Sequence, residues 1–333
     1  MASRRNAVVG FAVTAFCLLA ITDAADAKAT NIRFRPKGSI SNNAVSINDG
    51  GAVTGSYLDS NQVSHGYVRA SDGTITVFDP TESSGTVPAG INGGGSIAGY
   101  YIDSNYFDHG FVRAADGTMT TFDPDDSTGT NASGINDAGT VAGYYRDPAN
   151  MHHGFVRATN GQFTFFDPSG SADTYAQGIN KGGAITGYYV DANGQHGFAR
   201  AADGSIATFD PAGSQQTFAT CINAAGTIAG YYVDSNNARH GFVRAANGTI
   251  TSFDPAGSAN TLAYGINKQG AITGVTYNGF INGFVRTPRG RIRSFHVIRT
   301  TQTFGYGINA SNVVTGIYMD KRKFFFHGFV RIP

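Results

Sequence analysis

Three markers recurring in fixed order, β-forming runs between them, and one strand missing from the end of the chain predict an all-β fold. They point to a seven-bladed β-propeller with four antiparallel strands per blade. His-Gly-Phe or a near variant falls at His65, His109, His153, His196, His240, Asn282 and His327, 42 to 45 residues apart. Gly-Ile-Asn or a variant puts Ile47, Ile91, Ile135, Ile179, Ile222, Ile266 and Ile308 in the same register, and Phe-Asp-Pro carries Asp79, Asp123, Asp167, Asp210 and Asp254. A period of this length over seven copies is the mark of a repeat architecture.

Four short runs make up each unit. In the third copy they are TYAQGIN-type, TVAGYYRD, HGFVRA and QFTFFDP. All are rich in Val, Ile, Thr, Phe and Tyr and are cut by Gly, Asn, Asp or Pro. Four strands in about 44 residues make one blade. A β-helix coil is much shorter, and a β-sandwich would not repeat its sequence. The order places the GIN strand innermost, along a central channel, and the FDP strand outermost. Turns after GIN and after HGFVRA are tight and glycine-bearing. The YYxD-to-His and DPxGSxxT connections are longer and polar, and they emerge on the other face. That face, or the channel mouth, is the expected place for a ligand.

Ring closure is expected from the two ends. The last copy stops at HGFVRIP, one strand short, while residues 32–39 (IRFRPKGS) mirror residues 250–258 (ITSFDPAGS). An N-terminal strand completing the final blade leaves no open sheet edge.

Ahead of this domain, residues 1–27 read as an export signal: Arg4 and Arg5, an apolar stretch over residues 7–22, then Ala25-Asp26-Ala27. The stretch is shorter than the roughly 20 residues a membrane-spanning helix needs. Cleavage near Ala27 leaves residues 28–333 as one soluble, secreted domain with a single thiol, Cys221, so no internal disulfide is available. Charged residues are only 14% of the chain and the net charge is +1, so an electrostatic partner must be recognised by a local patch.

The repeat HGFVRAxDGTxTxFDP…GINxxGxIxGYYxD resembles the bacterial extracellular repeats of the HAF family, named for a His-Ala-Phe run that stands here as His-Gly-Phe. The resemblance covers nearly all of residues 32–333. It implies an exported bacterial repeat protein of propeller type, with no established biochemical activity to carry over.

Chemistry must be separated from blade architecture. A His or an Asp-Pro present in almost every unit is expected to satisfy loops and turns. Asp59, Asp103, Asp147, Asp191 and Asp234, often with Asn two residues on, offer about two oxygens each. A calcium ion takes six or more, so no metal or cofactor is expected, with calcium the one candidate ion. Glu82 is the only glutamate, and no GxSxG, HExxH, phosphate-loop or dinucleotide motif occurs. Cys221 replaces the glycine of a GIN strand and is expected to be a buried, inert thiol.

The departures from the repeat carry more information. No Asp or Glu occurs from residue 255 to 319, a span holding Arg289, Arg291, Arg293 and Arg299. Lys321, Arg322 and Lys323 follow, and Arg33, Arg35 and Lys37 arrive from the closing strand. Alternation of Arg289, Arg291 and Arg293 along one strand would turn all three guanidinia to one side, suited to carboxylate or phosphate. The candidate site is therefore a basic patch of Arg289, Arg291, Arg293, Arg35, Lys321, Arg322 and Lys323, with no catalytic residue assigned. The function expected is a non-catalytic binding scaffold for anionic cell-surface polysaccharide, with neither nucleic acid nor a membrane span as partner. Two alternatives stand beside it: a hydrolase or lyase acting at the channel mouth, and a purely structural envelope or matrix protein.

Overall fold

Gly129–Ile135, Val141–Arg146, His152–Arg157 and Phe163–Phe166 form strands where β-branched and aromatic residues alternate between a buried and a more open side. They pair antiparallel in chain order, Ile135 against Val141, Val141 against Arg157 and Arg157 against Phe163. The computed structural model describes residues 29–297, 302–320 and 325–333, and its 28 strands follow this plan, with no helix among the described residues. The export signal expected over residues 1–27 lies outside the described residues. No described helix is long and apolar enough to cross a membrane.

The strands lie in five hydrogen-bonded sheets, four of four strands and one of twelve. The twelve-stranded sheet is a row of antiparallel quartets touching at single parallel bridges, Gln195 with Gln216 and Arg239 with Asn260. One sheet is composite. Thr303–Ile308, Val314–Met319 and Phe326–Ile332 come from the C-terminal end, and Thr30–Phe34 from the N-terminal side supplies the fourth strand. Thr30 lies opposite Ile332 and Phe34 opposite Gly328. The two ends therefore pair, but over residues 30–34 rather than 32–39. Pro36 has no N–H to extend a ladder, and the chain turns there, with Ser39 N donating to Pro36 O at 3.2 Å.

Apolar slabs fill the space between neighbouring sheets. Ala142, Phe166, Ile185 and Phe198 form one, and Ala98, Phe122, Val141 and Phe155 another. The Phe of each HGF run is fully buried, contributing about 2–3 kcal/mol apiece. Arginine of the HGFVR run ties each sheet to the one before it. Arg69 lies over Phe34 at 5.1 Å, Arg157 over Phe122 at 4.5 Å and Arg331 over Phe295 at 4.7 Å. Because Phe34 belongs to the composite sheet, this cation–π interlock passes through the junction of the two ends.

The GIN asparagines join head to tail. Asn48 Nδ2 donates to Asn92 O, Asn92 to Asn136, Asn136 to Asn180 and Asn180 to Asn223. Asn223 then donates to Asn267, Asn267 to Asn309, and Asn309 back to Asn48 O at 3.2 Å. The innermost strands thus surround a common axis.

Candidate functional site

His65, His109, His153, His196 and His240 are fastened at both nitrogens. His153 Nδ1 lies 2.7 Å from Asp167 Oδ2 and its Nε2 3.5 Å from Asp147 Oδ2, with the ring 5.3 Å from Tyr145. Burial alone would lower the pKa of His153, but the hydrogen bonds and charges of Asp167 and Asp147 outweigh it and raise it, and His109, His196 and His240 behave alike. The FDP carboxylate reaches further, as Asp79 also accepts the Thr86 hydroxyl of the next repeat. Each loop carboxylate closes its own turn. Asp59 Oδ1 accepts Asn61 N at 2.8 Å and Val63 N at 2.9 Å, bonds that hold Asp59 below the usual carboxylate range. Among the described residues no group of three His, Cys, Asp or Glu is arranged to hold a metal ion. Cys221 is partly buried, donates to Ala229 O at 3.6 Å, and is pushed up to about 12 by desolvation.

Among the described residues of the expected basic patch, Arg291 and Arg293 line one cavity and Arg35 another. The outer strand starts at Ile292, so only Arg293 lies within it, while Arg289 sits at an exposed turn whose Gly290 has φ +90°. Alternation along a strand therefore does not extend to Arg289. Arg291 and Arg293 instead share a cavity of about 470 Å³ with Arg331, floored by Val285, Phe295 and Val314. Arg331 is anchored there by a 3.2 Å bond to Asn31 Oδ1. Arg35 lies past the other end of the closing strand, with Arg33, Asp320 and His327 around a separate cavity of about 410 Å³. Lys321, Arg322, Lys323 and Arg299 lie outside the described residues.

Two openings mark the channel. On the short-turn face the asparagine circle frames about 240 Å³, flanked by Asp49, Asp137, Lys181 and Lys268. Lys268 pairs with Asp49 at 3.4 Å. Deeper along the channel, toward the long-loop face, Tyr188, Phe218, Tyr231, Tyr264 and Tyr306 line about 510 Å³ with Gln177. Aromatic contacts continue toward the long-loop rim: Phe218 to Tyr188 at 5.1 Å, Tyr188 to Tyr175 at 4.9 Å and Tyr175 to His152 at 4.8 Å. His152 Nδ1 is 2.9 Å from Asp173 Oδ1 and 3.1 Å from the Tyr175 hydroxyl.

Sequence reasoning expected a ligand on the long-loop face or at the channel mouth but named none of these residues. The signal was present in the alignment of repeats, because Tyr264 and Tyr306 stand where other copies carry Val45, Ala89, Ser133, Gln177 and Thr220. Likewise His152 stands where others carry Ser64, Asp108, Gln195 and Arg239.

No family model and no curated protein sequence matches the chain. Solved structures do. A catalytically inactive variant of virginiamycin B lyase from Staphylococcus aureus, crystallised with quinupristin, is 13% identical, with 92% of this chain and 99% of that one covered and a TM-score of 0.60. The β-propeller domain of the Trilobed protease from Pyrococcus furiosus is 11% identical, covering 87% and 95%, with a TM-score of 0.62. The BP39L lectin from Burkholderia pseudomallei is 9% identical over 89% and 99%, with a TM-score of 0.51. With its antiparallel quartets around one axis, the chain is a β-propeller.

Proposed function

We propose that this propeller is a closed, seven-bladed ring of HAF-type repeats, exported as a non-catalytic binding scaffold for anionic cell-surface glycans. The asparagine circle and the pairing of Thr30–Phe34 with the last strand support closure and the count. One observation carries the ligand class. Arg291 and Arg293, from a stretch of sequence free of carboxylates, line a single cavity with Arg331 over an apolar floor. Guanidinia pair with sugar carboxylate, sulfate or phosphate, and Val285 and Phe295 receive the ring's C–H face.

Polygalacturonate and lipopolysaccharide, titrated at about 0.05 M and about 0.5 M salt, test the proposal. Binding is expected to weaken with salt and to fall at least about tenfold in the double variant Arg291→Ser/Arg293→Ser. Arg289→Ser, which lies off the cavity, leaves it unchanged. Undiminished binding in the double variant removes the cavity from the account.

A second reading, a hydrolase or lyase at the channel mouth, is favoured by His152. Its Nδ1 lies 2.9 Å from Asp173 Oδ1 while its Nε2 has no partner among the described residues, unlike the doubly held repeat histidines. Release of reducing ends or unsaturated uronide from polygalacturonate, abolished by His152→Ala, is the outcome that replaces the first reading with this one.

A further inference from the structure

The channel holds a chemistry that the basic cavity lacks. Comparison across the repeat isolates it, because strand, turn and interlock residues recur while the inner positions vary. At the second-strand position facing the channel, Tyr100, Tyr144, Tyr188 and Tyr231 give way to Ser56, Val275 and Ile317. At the innermost position only two copies carry a ring, Tyr264 and Tyr306, 5.5 Å apart and tilted by 58°. In the quartet beside that of Tyr264, Phe218 and Tyr231 stack at 4.7 Å and 15°. One side of the channel is therefore an aromatic wall, and Asn43, Val45, Gln177 and Thr220 complete the lining.

Among the described residues no Lys, Arg, His, Asp or Glu lines this space of about 510 Å³. Burial pushes Tyr188 and Tyr306 up to about 12 and raises Tyr264 as well, so the hydroxyls stay protonated and remain donors. The hydroxyls of Tyr188, Tyr231, Tyr264 and Tyr306 make no hydrogen bond to a described residue, nor do the side-chain amides of Asn43 and Gln177. Ring faces beside unspent neutral donors and acceptors match a ligand that is apolar on its faces and hydroxylated at its edge. A pyranose has that pattern, with axial C–H groups above and below an equatorial belt of hydroxyls. The volume suits one or two sugar units. An anion would leave water for a lining that offers it no direct cation, with Arg239 acting on Tyr231 and Tyr264 only from outside the lining, which is costly.

We propose that the channel pocket is a neutral-sugar site, separate from the basic cavity, in which Tyr264 and Tyr306 stack on a pyranose face while Asn43 and Gln177 hydrogen-bond its hydroxyls. The inference does not depend on the anionic-glycan reading, and its test keeps the two apart. Cellobiose, maltose, chitobiose and methyl galactoside serve as probes, followed by titration calorimetry and ligand-observed NMR on the whole chain. At least one is expected to bind saturably, with an affinity that is the same at about 0.05 M and about 0.5 M salt and in Arg291→Ser/Arg293→Ser. Tyr264→Ala and Tyr306→Ala each weaken it about tenfold. Tyr264→Phe, which keeps the ring and removes one donor, weakens it about threefold and guards against a folding artefact. The proposal is overturned if no neutral sugar saturates, if the alanine variants bind as well as the parent at an unchanged melting temperature, or if tetramethylammonium or a planar aromatic probe occupies the pocket in preference to every sugar.

Discussion

At the scale of single residues, near-perfect repetition turns most ionisable groups into fasteners. His153 illustrates the rule and its pH consequence. A histidine whose pKa is raised on folding stabilises fully below its unfolded value, 6.5, and that contribution is lost as pH rises through the folded value. The loop carboxylates act in the opposite sense. Asp103, Asp147 and Asp234 are lowered from 3.8, chiefly by backbone hydrogen bonds, so their contribution is present above that value and fades as pH falls through the folded one. The melting temperature is therefore expected to peak between about pH 4.5 and about pH 6 and to decline on both sides. Replacing His109, His153, His196 and His240 together by Gln flattens the upper limb. A decline above pH 6.5 that persists in the fourfold variant contradicts the assignment. Cys221 gives a second check at this scale. With its thiol near 12 and packed beside Ala229, it resists iodoacetamide in the folded protein and reacts in denaturant. Stoichiometric labelling without unfolding refutes that account.

Single elements are governed by how closely the strands approach. A Cβ on Gly143 overlaps the carbonyl oxygen of Asn131 and comes within 2.8 Å of the Phe155 ring. Gly143→Ala is expected to cost about 1–3 kcal/mol in chemical denaturation, whereas an alanine at Gly170, with no atom within 4 Å, meets only the strain of its φ of +81°. The closing strand packs as its internal counterparts do. Phe34 packs under Arg69 and against Tyr67, so Phe34→Ala removes a ring worth about 2–4 kcal/mol, as Phe122→Ala does inside the chain. Deleting residues 29–35 also bares the ladder of Phe326–Ile332, and the truncated protein is expected to self-associate in analytical ultracentrifugation. A truncated chain that stays monomeric with the parent's stability argues against sealing by this strand.

The whole molecule is a chain of equivalent contacts, and equivalence is measurable. In a closed ring Asn309→Ala, at the junction of the two ends, costs as much as Asn136→Ala within the chain, about 1–3 kcal/mol, because each strands a buried neighbour. A junction variant that is nearly neutral while the internal one is costly means the circle is open. The same scale governs the candidate sites. The cavity with Arg291 and Arg293 runs between the composite sheet and the quartet before it, and the Tyr264 and Tyr306 pocket lies in the channel with no lining residue in common, so the two are separate places for a ligand.

What the sequence determined by itself was the all-β repeat, the inner GIN and outer FDP strands, and the structural use of the recurrent His and Asp. Each of these is a local pattern of period two, a turn residue or a recurring marker, and such patterns are written along the chain. The tertiary structure decided what comes together across the axis. Arg291 meets Arg331 rather than Arg289, because a turn at Gly290 and the pairing of the two ends set those distances. Tyr264 and Tyr306 face Asn43, more than 200 positions away in the chain, because setting the sheets around an axis brings innermost strands from distant repeats to the same channel, and no neighbouring residue in the sequence records that meeting.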